Sequence, residues 1–169
     1  MQEAAGKAAD PNDLNFDIFR QGDRTRPIAS ALSTASATLQ LPSGVYEVTA
    51  DYAGARLGQS ASLASFEVKE GQSVDTTINL KVGRVQVEID DAPGRLSAKE
   101  RVSAQLFPAG QRDQTISSVA ATNPLSLVAP AGGSYDIVLQ LDTLQLVLPP
   151  LTIGEGVTST LKVNASDFK

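Results

Sequence analysis

From Leu14 onward, apolar and polar positions along the chain alternate with a period of two, the signature of half-buried strands. Leu14, Phe16 and Ile18 alternate with Asn15, Asp17 and Phe19, and Thr38-Leu39-Gln40-Leu41 alternates again before stopping at Pro42-Ser43-Gly44. Tyr46, Val48 and Ala50 follow, with Glu47, Thr49 and Asp51 between them. Phe66 and Val68 lead to Glu70-Gly71, and Val74, Thr76, Ile78, Leu80 and Val82 form the next run. No comparable stretch sets apolar residues at helical spacing between caps. The pattern predicts an all-β protein.

The second half repeats the plan. Ile18-Phe19, Gly22, Ile28, Leu39 and Pro42 recur at one constant offset as Leu106-Phe107, Gly110, Ile116, Leu127 and Pro130. An extra glycine, Gly132 or Gly133, then shifts the match by one, laying Val45-Tyr46-Glu47-Val48 over Ser134-Tyr135-Asp136-Ile137. Later, Gly71 to Ile78 lies over Gly154 to Leu161. A period this long implies whole domains in tandem, since solenoid repeats are shorter. Many short strands with regular turn signals predict two tandem immunoglobulin-like or prealbumin-like β-sandwich domains of about seven strands each. They span residues 14–82 and 83–169.

Val85, Val87 and Ile89 open the second copy, and their counterpart in the first would fall before Met1. Copy one is therefore expected either to lack its first strand or to fill that place differently. Residues 1–13 are small, polar and Ala-rich, and such a segment is expected to be a flexible tether, with a short helix as the alternative. Met1 ahead of Gln-Glu-Ala-Ala-Gly reads as a start placed on a cut chain, a fragment or mature form of something longer. Leu144 to Leu151 is too short to span a bilayer and is interrupted by Pro149-Pro150, which fits a buried strand and its exit.

Composition narrows the function classes. A formal charge of -5 with interspersed signs argues against a nucleic-acid partner, whose phosphates call for clustered Lys and Arg. The sequence has no Cys, hence no disulfide framework or thiol nucleophile, and no His, which removes the commonest general base and the usual zinc and copper sites. No glycine-rich phosphate-binding motif is present. No cofactor is expected.

The run Leu41-Pro42-Ser43-Gly44-Val45-Tyr46, continued by Glu47 to Ala50, Phe66 to Gly71 and Val74 to Leu80, resembles a bacterial module. It is similar to carboxypeptidase-regulatory-like, prealbumin-like and PEGA-type β-sandwich repeats, found in cell-envelope proteins that include some with von Willebrand factor A domains. The second copy departs from the motif by one residue, reading Pro130-Ala131-Gly132-Gly133-Ser134-Tyr135. The resemblance implies a spacer, adhesive or docking domain, periplasmic or extracellular, with no catalytic residues to carry over. The residues of the motif also read as structural. Pro42 and Pro130 preset the turn, Gly44 and Gly133 permit positive φ, and Tyr46 and Tyr135 bury a ring while the hydroxyl reaches a polar partner.

The remaining candidates are weaker. Arg20, Arg24 and Arg26 form a basic patch, echoed by Arg112, that could grip a partner's carboxylates. Glu88, Asp90 and Asp91 are the densest acidic cluster, where a cation site would need about six oxygens around one point; a solvated turn is the plainer reading. Asp10, Asn12, Asp13, Asn15 and Asp17 alternate oxygen ligands but lack the glycine and closing glutamate of an EF-hand. The expectation is a non-enzymatic envelope module that binds protein, with glycan or ligand binding through loops at one end as the alternative. Edge strands also offer a route to self-association.

Overall fold

The computed structural model describes residues 1–57, 62–90 and 102–169. Two compact units divide the chain, Met1–Lys81 and Val82–Lys169. Among the described residues the only helical turns are two short 3-10 segments, Pro11–Asp13 and Ala165–Asp167, so the protein is all-β.

In the first unit, β1 (Gln2–Ala4) and β2 (Lys7–Ala8) form a small hairpin. The main sheet contains β3 (Leu14–Arg20), β4 (Ala29–Ala31), β5 (Gly44–Tyr52), β6 (Ala55–Leu57) and β7 (Ala64–Val68). The order is β4-β3-β5, with β6 and β7 pairing different stretches of β5 on its far side, all antiparallel. Period-two alternation puts Leu14, Phe16 and Ile18 of β3, and Tyr46, Val48 and Ala50 of β5, on one buried face. Ile78 and Leu80 are also buried.

The second unit holds β8 (Val82–Asp90), β9 (Val102–Pro108), β10 (Ser117–Ala121), β11 (Leu125–Pro130), β12 (Ser134–Leu141), β13 (Leu144–Thr152) and β14 (Thr158–Asn164). Two sheets form, β10-β9-β12-β13 and β11-β8-β14. In the latter, β8 lies in the middle, antiparallel to β11 and parallel to β14. Val85, Val87, Leu127, Leu106, Ile137 and Leu139 from both sheets meet in one core.

The copies differ in that second sheet. Among the described residues, the runs Thr38–Leu41 and Val74–Ile78, expected as strands, have no ladder partner in the first unit. Their counterparts β11 and β14 are strands because β8 lies between them. Among the described residues of copy one, Gln2 occupies the end of that place. Gln2 bridges Asn79 in parallel, as Glu88 faces Lys162 at the matching position of copy two. Its N–H donates to the Ile78 carbonyl at 2.9 Å, and the Leu80 N–H donates to the Gln2 carbonyl at 2.8 Å.

Residues 1–13 therefore differ from the expected tether. The Met1 amine donates to the Ala35 carbonyl, the Ala9 N–H to the Met1 carbonyl at 3.4 Å, and the Asp10 N–H to the Tyr52 hydroxyl at 3.2 Å. Small side chains let this backbone lie close: Ala4 and Ala9 are buried. Glu3, also buried, is paired with Lys7 at 2.5 Å. Backbone groups, which every sequence carries whatever its composition, make most of this attachment.

A second difference concerns the Leu144–Leu151 run, expected to be a buried strand and its exit. It continues through both prolines as β13, an edge strand with Leu144 and Val147 exposed. The pairing of Tyr135 with Leu151 and of Ile137 with Leu148 places Pro149 and Pro150 opposite a single residue, Asp136. That is a bulge on an edge, where a missing N–H costs little.

Candidate functional site

The basic patch lies where β3 leaves the sheet and the chain turns through residues 21–28 toward β4. Gly22, with φ +78°, makes the turn, a conformation that favours glycine. The Gln21 N–H donates to the Val45 carbonyl at 3.0 Å and the Ile28 N–H to the Ile18 carbonyl at 2.7 Å, pinning both ends of the turn. Glu47, on β5, faces it. One carboxylate oxygen accepts the Gly22 N–H at 3.3 Å, and the other accepts Arg24 Nε at 2.9 Å and ion-pairs with its Nη2 at 2.9 Å. The Thr25 hydroxyl and N–H donate to Asp23 and hold its carboxyl below the usual carboxylate value.

Copy two repeats the corner group by group. Gly110 has φ +76°. Its N–H donates to Asp136 at 3.2 Å, and Arg112 Nε reaches the same oxygen at 3.4 Å. The Ala109 N–H donates to the Ser134 carbonyl at 2.9 Å and the Ile116 N–H to the Leu106 carbonyl at 2.8 Å. Of the three candidate arginines, Arg24 is thus drawn into a fold-making ion pair, while Arg20 and Arg26 stay exposed at the same corner. Glu47 and Asp136 escaped the sequence reading as partners. Their shared alignment beside Arg24 and Arg112 was the available signal.

The hairpin motif has the expected tyrosine geometry. The Tyr46 hydroxyl donates to the Pro42 carbonyl at 2.6 Å and the Tyr135 hydroxyl to the Pro130 carbonyl at 2.7 Å, with both rings buried. Burial raises the Tyr135 hydroxyl above its ordinary value of 10.0. Positive φ in copy two belongs to Gly132, at +82°, and not to the expected Gly133. Gly133 is needed for space, because a Cβ there would stand 2.4 Å from the Tyr135 hydroxyl.

Glu88 faces Lys162 at 3.7 Å, Asp90 is exposed at the end of β8, and Asp91 lies outside the described residues. A cavity of about 390 Å³ adjoins them, lined also by Asn123 and Pro124. The Asn123 side chain is turned to the strand, accepting the Ile89 N–H at 2.9 Å and donating to its carbonyl at 2.7 Å. An open groove of about 450 Å³ on the first unit is lined by Asn15, Asp17, Arg24 and Asp51 among others. Asp17 there accepts the Ser30 hydroxyl at 2.5 Å and Asn15 the Ser33 N–H at 3.0 Å, so these side chains are tied to neighbouring chain. Among the described residues, no three acidic or other metal-binding side chains converge.

No family model matches the chain, and no curated protein matches it. Solved structures give weak likenesses. The TIE protein of Bacillus anthracis aligns with 93% of this chain at 12% identity and TM-score 0.40, and the chain spans only 30% of that protein's length. The minor pilin GBS52 of Streptococcus agalactiae aligns with 90% of this chain and 82% of its own, at 12% identity and TM-score 0.33. The C-terminal fragment of the pilus adhesin SpaC from Lactobacillus rhamnosus GG aligns with 92% of this chain and 90% of its own, at 14% identity and TM-score 0.29. Scores this low leave fold and function to be read from the chain itself.

Proposed function

We propose that this chain is a non-catalytic module of a bacterial cell-envelope protein, periplasmic or extracellular, that spaces and docks protein partners. The observation that carries this reading is the duplicated corner. Arg24, Glu47 and Gly22, and again Arg112, Asp136 and Gly110, make hydrogen bonds that hold a turn against a strand. Groups that could work as acid, base or anion-binding site elsewhere are here part of the scaffold, and they are what the two copies share. The hairpin resemblance to envelope repeats supports the location. Arg20 and Arg26, exposed beside the scaffold pair, are the proposed contacts for acidic residues of a protein partner. The test is a pull-down with envelope proteins, comparing the native chain with Arg20→Ala/Arg26→Ala. Capture that depends on the two arginines supports the reading. A turnover activity abolished by Glu88→Gln or Asp90→Asn would overturn it.

A further inference from the structure

We propose that the outer face of the sheet β10-β9-β12-β13 in the second unit is a self-association surface, and that its partner is the same face of a second copy of this chain. The inference goes beyond the arginine corner and does not depend on it. Alternation turns Gln105 of β9, Val138 of β12 and Val147 of β13 away from the core, and the register lays them side by side in one row, with Ser118 of β10 at its end. A second row holds Ala120, Ser103, Gln140 and Gln145. Neither row contains a charged group. The three glutamines are exposed and Val147 is 40% exposed, with Val138 buried at the floor of the face.

The fold does not require a face without charge. In the first unit the same places carry charge: Asp17 stands where Gln105 does, Asp51 where Gln140 does, and Arg56 where Gln145 does. The ladders confirm the match. Asp17 faces Thr49 and Asp51 faces Arg56, as Gln105 faces Val138 and Gln140 faces Gln145. Exchange of all three charges for neutral amides is the compositional mark of an interface centre, where charged residues are depleted because each would have to shed its water.

The chemistry of the face selects a second copy. Each chain carries a formal charge of -5, so copies repel, and contact is least opposed through a face without charge. A glutamine amide both donates and accepts, so rows of glutamine match their own copies across a twofold axis. Gln140 donates one N–H to the Asp142 carbonyl at 3.1 Å and retains a second. Val147 adds apolar contact beside them. A neutral glycan would also suit the amides, but a sugar ring stacks on an exposed aromatic, and the only ring on this side of β9 and β12, Phe107, is buried. Four strands about 4.8 Å apart make a face of roughly a few hundred Å², less than the about 800 Å² per partner of a stable complex, so the association is reversible and shows at high concentration.

The test is NMR of the full chain from about 20 μM to about 1 mM, paired with sedimentation equilibrium over the same range. The backbone amides of Gln105, Val138, Gln140 and Val147 should shift progressively, and the mean mass should rise toward that of a dimer. Gln105→Asp/Gln140→Asp gives the second unit the residues that the first carries at those places, so the variant should fold, and it should abolish both changes. A mass that stays monomeric through about 1 mM would overturn the proposal. So would association whose shifts lie only at strand edges, or a double variant that still associates. A neutral oligosaccharide, cellohexaose, that shifts the same amides while the chain stays monomeric would assign the face to a glycan instead.

Discussion

Arg24 and the Gly22 N–H hold opposite oxygens of Glu47, the arginine through Nε and Nη2 at 2.9 Å each. The pair is only partly exposed, so it is screened less than a surface ion pair. Glu47→Ala leaves a turn N–H and a guanidinium without their acceptor and should destabilise the first unit by about 1–3 kcal/mol. Arg20→Ala and Arg26→Ala, at exposed positions, should stay within about 0.5 kcal/mol. Denaturant unfolding read through NMR signals of each unit checks both.

The equivalent Arg112–Asp136 pair is looser, at 3.4 Å, and Arg112 is about half exposed. Arg112→Ala should therefore cost less than about 1 kcal/mol. Asp136→Ala should cost more, because the buried carboxylate also accepts the Gly110 N–H. The same unfolding experiment, read on the second unit, gives the ratio.

Two glycines of the second unit are required for space. A Cβ on Gly83 would stand 2.2 Å from the Gly154 carbonyl oxygen, which is backbone and cannot swing away. Gly83→Ala should cost about 3 kcal/mol or more, in the range of severe overpacking. Gly133→Ala should cost about 1–3 kcal/mol by driving the Tyr135 ring from Pro130. Gly132→Ala meets no atom within 4 Å but must hold φ +82°, so its cost should be about 1 kcal/mol.

Tyr135 gives the second unit an alkaline limit. Its folded-state pKa lies above the ordinary value of 10.0, because burial disfavours the phenolate. The stability this contributes is fully present below pH 10 and is lost as pH rises through the raised folded value. Tyr135→Phe should remove that part of the dependence, while costing about 1 kcal/mol at neutral pH through the lost bond to the Pro130 carbonyl. Stability measured from pH 8 to 12 on both proteins, a range of about four units around the tyrosine value, checks the sign.

Much of the fold was legible because its signals are local. Alternation located β3, β5, β9 and β12, and the offset linking Leu39 to Leu127 and Tyr46 to Tyr135 revealed the duplication. The unread features depend on distant partners. Arg24 looked like a free binding group because Glu47 reaches it only across the β3–β5 ladder. Thr38–Leu41 looked like a strand because alternation records which side chains face inward and says nothing about whether a neighbour offers hydrogen bonds. The attachment of residues 1–13 is largely a matter of backbone groups, invisible to composition.

The central claim is that the two units share one fold and that, among the described residues, only Gln2 of the first unit pairs at the place of β8. The direct measurement is amide exchange at Thr38–Gln40 after placing Val-Gly-Arg-Val-Gln immediately ahead of Met1, the register set by the Gln2–Asn79 bridge. The account predicts that these amides become protected to the level of Ser126–Val128 in β11, with the second unit unchanged. Exchange at Thr38–Gln40 that stays fast, or that already matches β11 in the unextended chain, would contradict it.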